Sequence, residues 1–143
     1  MLLIHRPDYL LQAEEVALAF SRLKAEGKVL NFGVSNFTVS QFQLLQSAMD
    51  DVLVTNQIEI NPMRSQILDS GVLDLMQEKS LRPMAWSCLG GGEIFDQSNR
   101  RLDSLRSCLN QISDEVGASG IDQVLFAWVM ALPSRPIPIV GSG

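Results

Sequence analysis

A parallel α/β fold, built as part of an eight-stranded barrel, is predicted by three features of the sequence. Apolar, strand-like runs alternate with amphipathic, helix-like stretches along the chain, and strands joined by helical crossovers lie parallel. Polar residues gather where the strand-like runs end, which is where such folds keep their chemistry. The 143 residues hold five strand candidates, whereas a closed barrel typically takes about 250 residues. The expectation is an incomplete (β/α)8 TIM barrel, about its last five strands, with parallel pairing and intervening helices. It would form a single partial domain over residues 1–143, lacking the N-terminal three strands and the final helix.

Leu2-Leu3-Ile4 is the first strand, and His5-Arg6-Pro7-Asp8 ends it, because Pro7 has no N–H for a ladder. A helix from about Leu11 to Glu26 puts Val16, Phe20 and Leu23 on one face, and Gly27 suits its left-handed cap. The second strand is Asn31 to Val34, stopping at Ser35-Asn36. Thr38 and Gln41 have capping-box spacing for the next helix, whose period continues through Phe42, Leu45 and Met49. Val52 to Ile60 is the third strand, rich in β-branched residues, and Asn61-Pro62 closes it. A helix from about Asp69 to Lys79 turns Val72, Leu73 and Met76 inward, and Arg82 to Trp86 is the fourth strand. Leu102 to Val116 carries the clearest helical stripe: Leu102, Leu105, Leu109, Ile112 and Val116, with Gly117 after it. Ser119-Gly120-Ile121-Asp122 reads as a capping signal for a last helix with Ile121, Leu125, Trp128 and Val129 on its apolar face. Ile137 to Val140 is the fifth strand, and Gly141-Ser142-Gly143 comes directly after it.

Composition bounds the function. Apolar residues make up 46% and charged residues 19%, as in ordinary globular proteins. A net charge of −5 disfavours nucleic acid and anionic membrane as partners. The longest apolar runs fall far short of the roughly 20 residues of a membrane span, and Met1 to His5 does not read as a signal peptide. Cys88 and Cys108 make no disulfide framework, so the cytoplasm is the expected location. One histidine and two distant cysteines make no metal cluster.

The strand ends supply the chemical candidates: His5-Arg6, Ser35-Asn36, Asn56-Gln57, Ser87-Cys88 and Gly141-Ser142. Neutral amides and hydroxyls suit an amide-bearing ring such as nicotinamide. Trp86 either stacks on that ring or belongs to the core. His5 is an acid, base or hydrogen-bond donor, or a strand-end histidine bonded to backbone. Cys88 pairs with His5 as a nucleophile, or is a small buried residue. Gly90-Gly91-Gly92 permits close approach to a phosphate, or is a loop. Glu59 reads as solvated or salt-bridged rather than as a general base.

Together, the His5, Ser35-Asn36, Asn56-Gln57, Trp86-Ser87-Cys88-Leu89 and Gly141-Ser142-Gly143 segments resemble, in order, the aldo-keto reductase superfamily. The resemblance implies a barrel that uses NADP(H) to reduce small aldehydes and ketones. It assigns His5 to orienting the substrate carbonyl, Ser35, Asn36 and Gln57 to the nicotinamide carboxamide, and Trp86 to the nicotinamide face, where tyrosine is usual. Ser87, Cys88 and Leu89 would lie along the pyrophosphate, with Cys88 where proline is common; Gly141 and Ser142 would begin the adenosine-phosphate loop. The proton-donating tyrosine and its lysine and aspartate come from the first three strands in the family, and Tyr9 does not match them. The implied function is therefore the C-terminal part of an NADP-dependent aldo-keto reductase, inactive as this chain alone. The alternative is a non-catalytic barrel fragment that binds a nucleotide or a protein. Its open sheet edges, around Leu2–Ile4 and Ile137–Val140, would favour self-association. A hydrolase built on Cys88 and His5 is a third reading.

Overall fold

The computed structural model describes residues 1–141, and the expectation for Ser142 lies outside them. Five parallel strands, β1 (Leu2–Ile4), β2 (Phe32–Ser35), β3 (Leu53–Glu59), β4 (Met84–Trp86) and β5 (Ile137–Pro138), lie side by side in chain order. The helices are α1 (Ala13–Ala25), α2 (Val39–Ser47), α3 (Val72–Glu78), α4 (Asp103–Val116) and α5 (Ile121–Ala131). One helix lies in each crossover, except that β4 and β5 are joined by both α4 and α5. Each predicted strand is present: β1 has the expected bounds, β2 is shifted by one residue, and β3, β4 and β5 are trimmed by one or two residues at an end. Short strands in sequential order, each with a helical crossover, are the layout of barrel wall. Among the described residues β1 pairs only with β2 and β5 only with β4.

Side chains alternate across each strand, so one sheet face meets the helices and the other lines the concave side. On the helix side Phe32, Val34 and Leu53 pack with Phe20, Phe42, Leu45 and Met76. Phe20 and Phe32 stack with centroids 4.1 Å apart, a contact worth about 0.5–1.5 kcal/mol beyond its buried area. A second cluster joins Ile58, Ile60 and Ala85 to Val72 and Val129. Leu109, Val124, Leu125 and Ile94 form a third between α4, α5 and the preceding loop.

The capping box at Thr38 forms as expected. Its side chain accepts from the Gln41 N–H, and the Gln41 side chain accepts from the Thr38 N–H. The cap of α5 differs from the expectation. Gly120 is its N-cap, and Gln123 accepts from the Ser119 N–H with no reciprocal bond from the Ser119 hydroxyl. The α4 stripe is also shorter than its periodicity suggests. Leu109 is buried, but Ile112 and Val116 face solvent, because the inward row of the helix runs through Arg106, Leu109 and Ser113 instead.

One irregularity places the site. Phe32 pairs with Leu53, but two residues on, Val34 pairs with Asn56, three residues beyond Leu53. The extra residue is a β-bulge, which bends its strand and re-aims the side chains beyond it. Its effect is to set Gln57 beside Ser35 at the strand ends.

Candidate functional site

His5, Arg6, Ser35, Asn36, Gln57 and Trp86 line one cavity of about 250 Å³. These residues lie at or near the carboxyl ends of four consecutive strands, and no sequence segment alone would bring them together. A hydrogen-bond chain fixes most of them. The Trp86 Nε1–H donates to Asn36 Oδ1 at 3.2 Å. Asn36 Nδ2 donates to Ser35 Oγ at 3.0 Å, and the Ser35 hydroxyl donates to the Gln57 carbonyl at 2.9 Å. The Asn36 backbone N–H reaches the same carbonyl at 2.9 Å. The indole plane is thereby tied to an amide, which in turn is tied to the neighbouring strand. His5 is exposed at the mouth.

Trp86 also lines a groove of about 550 Å³, whose lining includes Ser87, Cys88, Leu89, Gly91, Gly92 and Gly141. Gly90, Gly91 and Gly92 have φ of 61°, 64° and 90°, values an L side chain adopts only with strain. The glycine run is thus a pair of tight turns. Its N–H groups at Gly90 and Gly92 return to the Ser87 and Leu89 carbonyls. Asp122 is the charged group among the described lining residues, so an anion there would depend on hydroxyl and backbone donors.

Cys88 is buried. Burial pushes its thiol pKa up, and its Sγ donates to the Ala85 carbonyl at 3.4 Å. A protonated, buried thiol is a poor nucleophile, and Cys88 lines the groove whereas His5 lines the cavity. The geometry therefore opposes the hydrolase reading and supports the small-buried-residue one. At neutral pH a maleimide is expected to label exposed Cys108 at least ten times faster than Cys88 (roughly, from burial and thiolate fraction), with Cys88 reacting on unfolding. Mass spectrometry of digested, time-quenched samples checks this; equal rates would contradict the burial.

Sequence reading missed three features. Asn36 and Ser87 have φ of 58° and 55°, left-handed values uncommon outside glycine. Asn56 and Asn61 are both fully buried. Asn56 brackets Phe37, accepting from its N–H at 3.3 Å and donating to its carbonyl at 2.8 Å. Asn61 donates to the Ser87 carbonyl at 2.9 Å and to Glu59 Oε1 at 3.1 Å. Glu59, which reads as solvated or salt-bridged, is half-buried and accepts a hydrogen bond from that amide through Oε1. An asparagine at a strand exit looks like turn chemistry, so only burial reveals these roles. Among the described residues no group of three or more His, Cys, Asp or Glu could hold a metal, and no helix is long and apolar enough to cross a membrane.

Parallel barrel wall with amides, a hydroxyl and an indole gathered on the carboxyl rim defines an α/β protein with a polar cavity at its strand ends, where such folds keep their chemistry. A sequence profile described as the Aldo/keto reductase family matches residues 1–143. The chain belongs to that family. Oxidoreductase YdhF of Escherichia coli (strain K12) is 52% identical over 143 residues, which are 100% of this chain and 47% of that protein. The 6-dehydroglucose reductase of Agrobacterium fabrum is 43% identical over 142 residues, 99% of this chain and 46% of that protein. The crystal structure of an aldo/keto reductase from Klebsiella pneumoniae in complex with NADP and acetate is 28% identical with a TM-score of 0.75, covering 98% of this chain and 47% of that one. The chain spans about half the length of the curated relatives it matches.

Proposed function

We propose that the chain is the C-terminal part of an NADP-dependent aldo-keto reductase, a single partial domain that holds the cofactor but is inactive as this chain alone. The family membership supports this reading, as does the NADP bound to the Klebsiella relative. The observation that carries it is the hydrogen-bonded cavity of Trp86, Asn36, Ser35 and Gln57 with His5 at its mouth. Its donor set fits a nicotinamide. The Asn36 amide keeps one N–H and one lone pair beyond its bonds to Ser35 and Trp86, and an amide is a two-sided partner for a carboxamide.

When bound, NADPH supplies a hydride to an aldehyde or ketone carbon. The chain's own part is orientation. Asn36, Ser35 and Gln57 fix the carboxamide and so decide which ring face points outward. Trp86, held in plane by Asn36, stacks against the other face. His5 donates a hydrogen bond to the substrate oxygen. Ser87, Cys88 and Leu89 line the groove for the pyrophosphate; Gly141, the start of the adenosine-phosphate loop, lines the same groove, and Ser142 is next in sequence. Tyr9 is fully solvent-exposed and does not line the cavity, so no phenol here protonates the product. Loss of general acid catalysis typically costs about 10²–10⁴-fold.

The test uses the chain's two tryptophans, Trp86 and Trp128. In a Trp128→Phe variant, NADPH is expected to quench Trp86 fluorescence saturably, while no NADPH is consumed with a simple aldehyde. Absence of saturable quenching would overturn the cofactor reading, and steady turnover would overturn the inactivity. A second reading, a non-catalytic fragment that binds a nucleotide or a partner protein, is favoured by the single-neighbour edges β1 and β5. Concentration-dependent self-association without quenching would favour it.

A further inference from the structure

We propose that Asn56 and Asn61 are positioning residues: from the middle of β3 and from just past its end they lock the left-handed turns on the two flanking strands, and so set the geometry of the cradle. This rests on the reading of the cavity and groove as a cofactor site, although the turn geometry can be tested without cofactor. Neither side chain lines the cavity or the groove.

The two devices mirror one another. β3 lies between β2 and β4. Asn56 reaches towards β2 and brackets Phe37 at both its N–H and its carbonyl. That residue directly succeeds Asn36, whose φ is 58°. Asn61 reaches towards β4 and holds the carbonyl of Ser87, whose φ is 55°. A left-handed non-glycine residue costs about 1–3 kcal/mol and persists only where its surroundings over-determine it. Two fully buried amides are the over-determining contacts.

Asn61 shows that this arrangement is not optimised for stability. Among the described residues its Oδ1 is buried with no hydrogen-bond partner. Turning the amide over would bring that oxygen against the Ser87 carbonyl and Glu59 carboxylate, two acceptors, so the orientation is fixed with the orphaned atom in place. An unsatisfied buried acceptor is unfavourable. A leucine of similar size would remove it. The amide is therefore retained for what its N–H groups hold, the Ser87 turn at the head of the groove. The Gly90 N–H returns to the same Ser87 carbonyl, so the amide also anchors the glycine turns.

Asn61→Leu should melt within a few degrees of the parent, because the lost bonds and the lost orphan oppose each other. Amide hydrogen exchange at residues 87–92 should nevertheless rise about tenfold, and NADPH should bind the Trp128→Phe background about tenfold more weakly. Asn56→Ser, whose one hydroxyl cannot span both Phe37 groups, should raise exchange at Phe37 and Thr38 instead, leaving 87–92 unchanged. The proposal is overturned if exchange stays at parental levels, if it rises evenly over all strands with a large drop in melting temperature, or if neither Asn61→Leu nor a smaller Asn61→Thr folds. If the parent itself fails to bind NADPH, the cofactor reading falls, while the exchange pattern still decides whether these asparagines hold the turns.

Discussion

Arg106→Met is expected to lower the free energy of unfolding by about 2–5 kcal/mol, because hydrogen bonds made by a buried charged donor are worth about 1.5–3 kcal/mol each. Arg106 is only 6% exposed. Its Nη1 donates to the Ile94 carbonyl at 3.4 Å and the Asp96 carbonyl at 3.0 Å. Its Nη2 donates to the Asn99 carbonyl at 2.7 Å and to Asp103 Oδ1 at 2.6 Å. One guanidinium thus closes the loop between β4 and α4 onto the helix. Methionine would fill the volume but take a charged donor from three carbonyls, of which those of Asp96 and Asn99 keep the N–H groups of Asn99 and Leu102, so the loss per bond lies at the low end of about 1–3 kcal/mol. Against a total stability of about 5–15 kcal/mol for a domain, that is a large fraction, and the urea midpoint should fall accordingly. Asp103→Asn is the control. The Asp103 side chain is 48% exposed, so its charge contributes little, about 0–1 kcal/mol, and the carbonyl bonds survive. Equal midpoints for Arg106→Met and the parent would show that the loop is held by Ile94 and its apolar neighbours alone.

Arg106 also shows where sequence reading runs out. The period of α4 was legible from Leu102, Leu105 and Leu109, but an arginine between them reads as solvated, because its burial depends on a loop folding back over it. The strands were legible for a simple reason. Each is a short apolar run bounded by polar or glycine residues, and the helices between them dictate parallel pairing. The rim was legible as a set of polar strand ends, and the structure brings His5, Ser35, Asn36, Gln57 and Trp86 into one cavity. What linked them was hidden. The bulge that sets Gln57 beside Ser35 leaves no mark in residue identity. The left-handed turns at Asn36 and Ser87 fall on residues with no glycine to announce them. The asparagines that hold those turns act across strands, 19 and 26 residues away in sequence. Periodicity reports local order, whereas these features are settled by contacts distant in the chain.

Gly33→Ala tests the same coupling from inside the wall. Gly33 pairs with Leu3 in the middle of the sheet. A Cβ there would stand 2.6 Å from Leu3 Cδ2 and 2.9 Å from both the Cγ2 and the backbone oxygen of Thr55. The leucine could rotate, but the Thr55 carbonyl belongs to β3 and cannot move without the ladder. Overpacking of this kind typically costs about 1–3 kcal/mol, and the strain must appear as a displacement of β2 from β3. Ser35 lies two residues further along β2, on the same face, with its hydroxyl 2.9 Å from the Gln57 carbonyl. A shift of the strand therefore reaches the cradle directly, and misplacement by about 1 Å can cost a site up to 10²-fold. Gly33→Ala is expected to lower the urea midpoint and also weaken NADPH quenching of Trp86, although residue 33 touches no part of the cavity. Gly92→Ala separates strain from crowding. Nothing lies within 4 Å of a Cβ there, but its φ is 90°, so the penalty of about 1–2 kcal/mol is conformational and stays in the groove loop. If Gly33→Ala lost stability but kept its cofactor affinity, the bulged β2–β3 pair would be absorbing the strain before it reached Ser35, and the rim would be less tightly coupled to the wall than its hydrogen bonds require.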